Sequence, residues 1–154
     1  MIRYVFIVFF LLLTGLGYSQ ANSLIGNWKA VAINNGEVYY DFKKDSISIL
    51  SDDLKEMYDD ESKVDVLKQL MKRLYGNANF EFKKDVLKME FQSGMIIESK
   101  YNNDVKRDVI VIQDKNSLNE IVDEEMQYKL FDNRLHLSFN FEETPCLFIL
   151  EKVK

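Results

Sequence analysis

The chain has 154 residues, of which 47% are hydrophobic and 13% aromatic, and its formal net charge is −5. This length and composition predict one domain with a buried core. The acidic balance argues against binding to nucleic acid or to anionic membrane surfaces, because both carry negative charge.

The first 19 residues have the pattern of a signal peptide. Arg3 supplies a positive start, residues 5–13 form an apolar run, and Gly17 and Ser19 are small residues suited to the cleavage positions. We expect cleavage after Ser19, or alternatively after Ala21, which leaves a mature domain over residues 20–154. The apolar run is too short for a stable membrane anchor. The predicted location is therefore exported, either periplasmic or extracellular.

The first predicted strand contains Trp28, the only tryptophan of the chain. Period-two alternation places Trp28, Ala30 and Ala32 on one face, which we expect to face the core, and Ile33 on the other. Gly26 shares the face of Trp28. Because it has no side chain, another segment can lie close against the strand at this point.

The segment Gly26-Asn27-Trp28 resembles the first-strand motif of the lipocalin-like (calycin) families. The resemblance implies a β-barrel whose interior binds small apolar molecules. It also implies that a cation from the last strand, here Lys152 or Lys154, lies over the Trp28 ring as a cation–π contact.

Three similar stretches follow the pattern of strand, polar turn and strand: residues 40–49, 80–89 and 128–137. We predict that each is a hairpin of one antiparallel meander, because the spacing between them is too irregular for a solenoid. Further turns are predicted at Asn34-Asn35-Gly36 and at Asn102-Asn103-Asp104.

Residues 51–75 form the predicted helical insert. Ser51 is a suitable N-cap and Gly76 a suitable C-terminal stop. The apolar stripe near Leu54 is out of phase with the one over residues 64–75, so we predict two helices, or one bent helix, with a break at residues 59–62. Only one stripe of each piece is apolar, and we therefore expect the insert to lie on the surface, with the second piece better packed.

Together these elements predict a mainly β fold, an antiparallel up-and-down lipocalin-like β-barrel of about 8–10 strands with a helical insert at residues 51–75. Closure is expected because it removes unpaired strand edges. The strand at residues 134–141 is expected to point its alternate apolar residues, Leu135, Leu137, Phe139 and Phe141, into the barrel.

No motif predicts catalysis or metal binding. His136, the only histidine, alternates with inward-facing leucines and is expected on the outer face. Cys146, the only cysteine, can form no intrachain disulfide and is expected to be a buried apolar residue. Since neither residue has a second histidine or thiolate as partner, no nucleophilic or zinc site can be built from them. We expect no enzymatic activity and no cofactor.

Two interpretations of function remain open. In the first, the barrel interior binds a small apolar molecule, with the tyrosine hydroxyls orienting it. The candidate contacts are Met89, Phe91, Ile97, Tyr101, Tyr128 and Phe139. In the second, these side chains fill the barrel, and the protein is a non-enzymatic interaction or envelope protein that contacts a protein partner through the helical insert. Residue counts do not separate the two.

Overall fold

The computed structural model describes residues 24–91, 94–115, 121–141 and 143–153. Within them, ten antiparallel strands form one sheet. The strands are β1 (Gly26–Asn34), β2 (Val38–Asp41), β3 (Ser46–Ile49), β4 (Asn79–Phe82), β5 (Val86–Glu90), β6 (Ile96–Asp104), β7 (Val109–Lys115), β8 (Ile121–Phe131), β9 (Arg134–Phe141) and β10 (Thr144–Lys152). Two helices, α1 (Asp52–Met57) and α2 (Glu61–Tyr75), lie between β3 and β4.

Eight of the strands close into a barrel, because β10 at one end of the sheet also pairs with β1. From β4 to β10 each strand pairs with the next one along the chain, so the predicted meander is confirmed. The edge of β1 opposite β10 is divided: residues 26–29 pair with β4, and residues 32–34 pair with β2. We call the end where β1 begins the lower end and the end where β1 stops the upper end. The β2–β3 hairpin leaves the barrel at the upper end.

The inward face of β1 changes phase at a bulge. The register between β1 and β10 shifts between Ala30 and Ala32. Beyond the shift, Ile33 lies opposite Phe148, and both side chains are fully buried in the core. The prediction that Ala32 faces the core and Ile33 faces away was therefore wrong, because strict alternation assumes a strand without an extra residue.

The three predicted hairpins are confirmed as β2–β3, β4–β5 and β8–β9. Their turns differ in conformation. In the first, Asp45 has a φ of 51°. In the second, the N–H of Lys83 donates to the carbonyl of Val86 at 2.9 Å, which extends the ladder beyond the strand ends. Similar sequences thus give the same hairpin topology with different local turns.

The helical insert is interrupted where the apolar stripes change phase. The break lies at residues 58–60, which overlaps the predicted residues 59–62. The hydroxyl of Ser51 accepts a hydrogen bond from the N–H of Leu54 at 3.4 Å, and the Asp60 carboxylate caps α2. No residue of α1 is buried, whereas α2 buries residues of its inner stripe. The prediction that the second piece is better packed is confirmed.

The inner face of α2 covers part of the upper end of the barrel. Leu67, Met71 and Tyr75 belong to the hydrophobic core cluster. The Tyr75 ring lies 6.0 Å from the rings of both Phe141 and Phe148. The insert lies on the surface as expected, and residues at every fourth position of α2 form a continuous apolar contact with the inward side chains of the barrel.

A short polar chain joins α2 to the β2–β3 hairpin. The Lys72 ammonium lies 2.8 Å from the Asp45 carboxylate, and the Tyr40 hydroxyl donates to the same carboxylate. The bond from Lys72 holds the pKa of Asp45 below its usual value. Burial, together with the bond to Asp45, raises the pKa of Tyr40 to about 12. At neutral pH the Tyr40 hydroxyl is therefore protonated and can donate to the charged carboxylate.

Trp28 is buried at the lower end, where a hydrogen bond and a cation–π contact fix its position. Its indole N–H donates to the carbonyl of Leu24 at 2.7 Å. The Lys152 ammonium lies 5.3 Å from the ring centroid, which confirms the expected cation–π contact. Gly26 has a φ of +127°, and a Cβ built there would lie 2.9 Å from Cε of Lys152. The close approach predicted at Gly26 is thus made by the Lys152 side chain.

We expect Trp28→Ala to lower the free energy of unfolding by roughly 3–5 kcal/mol, because it removes a large buried ring. Chemical denaturation followed by far-UV circular dichroism measures this loss. Phe131→Ala, at a side chain that is 71% exposed, is the control and should change stability by less than about 0.5 kcal/mol. A loss below about 1 kcal/mol for Trp28→Ala would contradict a core role for the indole.

Candidate functional site

The middle of the barrel is filled by aromatic rings. Phe139 and Phe148 are stacked with their centroids 5.5 Å apart. Phe80 lies 5.3 Å from Phe148, and Phe91 lies 4.6 Å from Phe141. These contacts form a close-packed layer across the interior, so a ligand in the barrel meets this layer as a floor.

The six predicted ligand contacts occupy two levels of the barrel. Met89, Phe91 and Tyr128 are buried, whereas Ile97, Tyr101 and Phe139 are half-buried. Met89 pairs with Ile97 in the upper half, and Phe91 directly follows β5 at the same end. Tyr101 and Tyr128 lie near the lower end. The structure therefore brings together four of the six residues and separates the two tyrosines from them.

The Tyr101 hydroxyl has a partner within the protein. It donates to the carbonyl of Lys83 at 2.7 Å, and its ring lies edge-on to Phe82 with centroids 5.6 Å apart. Burial and the nearby Asp85 carboxylate raise the pKa of Tyr101. This hydrogen bond thus connects β6 to the β4–β5 turn at the lower end.

At the upper end, inward-facing apolar side chains remain partly accessible to solvent. Val122 is 40% exposed, and by alternation it shares the inward face of Met126. The others are half-buried and pack against the core. We call the whole set the upper rim; it consists of Met95, Ile97, Val122, Phe139 and Phe141. Residues 92–93, 116–120 and 142 lie outside the described residues.

Among the side chains that the structure describes, the carboxylate of Glu124 lies beside the upper rim. Glu124 pairs with Ile112, and Ile112 is buried in the core, so Glu124 lies on the inward face of β8. Its side chain is exposed. An apolar surface with one negative charge beside it favours neutral or cationic molecules over anions.

Asn103 is an interior polar residue that the sequence analysis missed. A turn was predicted at residues 102–104, but β6 continues to Asp104 and the turn lies at residues 105–108. Asn103 pairs with Ile110 and shares its inward face. Among the described residues, neither its amide nitrogen nor its amide oxygen has a hydrogen-bond partner of regular geometry, although Tyr128 lies close enough to interact with the amide, and both atoms are shielded from solvent. A buried amide without a hydrogen-bond partner destabilises the folded state.

Tyr128 is a neighbour of this amide. Burial raises the pKa of Tyr128, and the Asn103 side chain acts in the opposite direction. Alternation along β6 could have identified the site, because residues 97, 99, 101 and 103 face inward and Ser99 is buried. The polar stretch of β6 therefore lines the lower half of the interior.

Neither of the two residues considered for nucleophilic or metal chemistry has the environment that such chemistry needs. Cys146 is 4% exposed, and burial raises the pKa of its thiol to about 11. The thiol is therefore protonated at neutral pH and a poor nucleophile. His136 pairs with Ile149 on the outer face, as predicted. The described part of the chain contains no group of three His, Cys, Asp or Glu side chains suited to a metal ion.

The outer face of α2 carries a second apolar surface. Val66, Leu70 and Leu74 recur every fourth residue and are 63%, 44% and 41% exposed. We call these three residues the α2 stripe. An exposed helix face is normally polar, so the stripe is a candidate contact surface.

No family model matches the sequence, and no curated protein matches it. Among solved structures, the chain is similar to a DUF4847 family protein from Bacteroides vulgatus ATCC 8482. The identity is 18% and the TM-score 0.48, over 86% of this chain and 99% of that chain. The similarity assigns no function to this chain. In the described residues, no helix has the length and apolar character needed to cross a membrane.

We expect Asn103→Leu to leave the free energy of unfolding unchanged or to raise it by about 1–3 kcal/mol, because it removes a buried amide that has no partner. Denaturant melts compare it with Asn102→Leu, an exposed neighbour on the outer face, which should stay within about 0.5 kcal/mol of the parent. A loss above about 1 kcal/mol for Asn103→Leu would indicate that water or a bound molecule satisfies the amide.

Proposed function

We propose that the mature protein is an exported, non-enzymatic binding protein that holds a small apolar molecule at the upper end of its barrel. The observation that carries this proposal is the upper rim, where inward-facing apolar side chains remain in contact with solvent although the sheet is closed. The mouth of a β-barrel is a common place for a ligand site.

The depth of the site limits the size of the ligand that can bind. The aromatic layer formed by Phe80, Phe91 and Phe148 limits how far a ligand can enter. A compact molecule or the end of a chain fits this depth better than a long chain that runs through the barrel. Burial of rim and ligand surface would stabilise the complex by roughly 25 cal/mol per Å² of apolar area.

The side chains of the upper rim determine which chemical class of ligand is favoured. Met95 adds a flexible, polarizable side chain, which suits ligands of varied shape. Glu124 disfavours an anionic head group at this end. We therefore propose a neutral or cationic ligand with an apolar body.

Export is part of the proposal and rests on the signal-peptide pattern of residues 1–19. The inert state of Cys146 is consistent with an oxidising compartment, because a buried, protonated thiol does not form mixed disulfides readily. The site of action is then the periplasm or the exterior of the cell.

Ile97 and Ile96 provide a matched pair for testing the upper rim. Ile97 is half-buried on the inward face of β6, and its neighbour Ile96 is 56% exposed on the outer face. We expect Ile97→Glu to weaken binding of the apolar fluorescent probe N-phenyl-1-naphthylamine by at least about tenfold, and Ile96→Glu to leave it unchanged. Native mass spectrometry of protein purified from its own host should show an added mass that organic extraction removes.

Equal probe affinity in the two variants would contradict binding at the upper rim. A clean apo mass in every preparation from the host would count against a resident ligand. Thermal melts of both variants check that the added glutamate has not unfolded the barrel.

A second candidate function is contact with a protein partner through the helical insert, and the α2 stripe favours it. Isolated exposed apolar residues are common, but a contiguous apolar surface often marks an interface. We expect Leu70→Glu to abolish recovery of a partner from host extract by affinity purification. Leu50→Glu is the control, because Leu50 is 46% exposed and lies outside the stripe. Identical recovery with both variants would contradict this function.

A further inference from the structure

We propose that the lower end of the barrel carries a second binding site, which takes an amphipathic anion: a carboxylate attached to an apolar chain or ring. The site is a surface groove of about 890 Å³ beside the β8–β9 turn, within the usual size range of ligand sites. It goes beyond the proposed function, because its residues lie at the opposite end from the upper rim.

The β8–β9 turn presents an apolar side chain to the groove. Asp132 and Asn133 both have positive φ, 51° and 58°, which is the backbone of a tight two-residue hairpin turn. Next to this turn, the Phe131 side chain is 71% exposed. Leu130 and Val153, which also line the groove, are 38% and 52% exposed. An apolar wall of this kind gains stability when a ligand chain or ring covers it.

Cations outnumber carboxylates along the adjoining part of β10. Glu151 forms ion pairs with Lys43 and with Arg134, whose Nη2 lies 3.0 Å from Oε1 of Glu151. Lys152, the next residue of β10, also lines the groove. Lys43, Arg134 and Lys152 are therefore three cations in and beside a groove with two carboxylates, in a protein whose net charge is −5. Asp132 is the other carboxylate of the groove lining and belongs to the turn.

Arg134 is the residue best placed to hold a ligand carboxylate. Its Nε and Nη2 both bond to the same oxygen of Glu151, at 3.1 and 3.0 Å. A guanidinium has five N–H donors in a planar fork, so it can bind a second carboxylate while it keeps the first. The head group would then lie at Arg134 and the apolar part against Phe131.

The groove is separate from the barrel interior. The Trp28 ring and the Lys152 side chain that lies over it both line the groove, and Trp28 is only 3% exposed. Together with Leu24, which is fully buried, they close the lower end of the barrel. A molecule in the groove therefore does not enter the interior, and its binding is independent of the upper rim.

Isothermal titration with sodium dodecanoate below its micellar range tests this site on the mature chain. We expect dodecanoate to bind in the groove, and dodecyltrimethylammonium, which has the same chain and the opposite charge, not to bind there: Phe131→Ser should leave the affinity of this cationic probe unchanged. Phe131→Ser and Arg134→Gln should each weaken dodecanoate binding by about tenfold, because one removes the apolar wall and the other the carboxylate partner.

Matched control variants test whether dodecanoate binds in the groove or elsewhere on the surface. Ile121→Ser replaces an apolar side chain that is 69% exposed, and Arg107→Gln replaces an exposed arginine that pairs with Asp104. Both should bind dodecanoate like the parent, and so should Ile97→Glu at the upper rim. Thermal melts of each variant check folding.

Three outcomes would overturn the proposal. Parent-like affinity in both Phe131→Ser and Arg134→Gln would place the anion elsewhere. Loss of binding in Ile97→Glu instead would place it at the upper rim. Binding only to phosphatidylglycerol vesicles, with none to free dodecanoate, would make the lower end a membrane-contacting surface instead of a small-molecule site. Failure of probe binding at the upper rim would leave this result unaffected, because the two tests use different residues and different probes.

Discussion

Closure of the barrel depends on the contact between its first and last strands, and Trp28 lies at the lower end of that contact. Trp28 and Lys152 are register partners across β1 and β10, and the ammonium of Lys152 lies over the indole. The lysine reaches this position by passing over Gly26, where a side chain would collide with it. Without this pairing the sheet would have two open edges. With it, the inward side chains face one another and form a common core.

Local alternation predicted which segments are strands and hairpins, but it did not predict where each element lies in three dimensions. Residues 40–49 and 80–89 have nearly the same sequence, yet only the first turn contains an aspartate with positive φ. In that turn Asp45 bonds to Lys72 of α2, which is distant in the sequence. The bulge in β1 and the entry of Tyr75 into the core have similar non-local causes, because both depend on the strands that pack against these residues.

The same limit applies to the candidate site. Alternation correctly assigned Ile97 and Phe139 to the inward face. The position of a side chain along the barrel axis, however, depends on strand order and stagger, which a single sequence does not reveal. Tyr101 and Tyr128 therefore lie at the lower end, away from the other side chains that were predicted to contact the same ligand. Asn103 was missed because consecutive asparagines are typical of turns, whereas here the strand continues through them.

The close-packed interior limits ligand binding to the two ends of the barrel. A close-packed layer of phenylalanine rings lies between the upper rim and the lower groove, and such a layer resists the rearrangement that a ligand inside it would require. The proposed binding at either end would therefore use surfaces that already exist, and its free energy would come from covering exposed apolar side chains. The charges beside these surfaces differ: Glu124 lies at the upper rim, whereas Arg134 lies at the lower groove. A single closed barrel thus presents two chemically distinct surfaces, and the ligand preferences proposed for them are independent because a close-packed core separates the two ends.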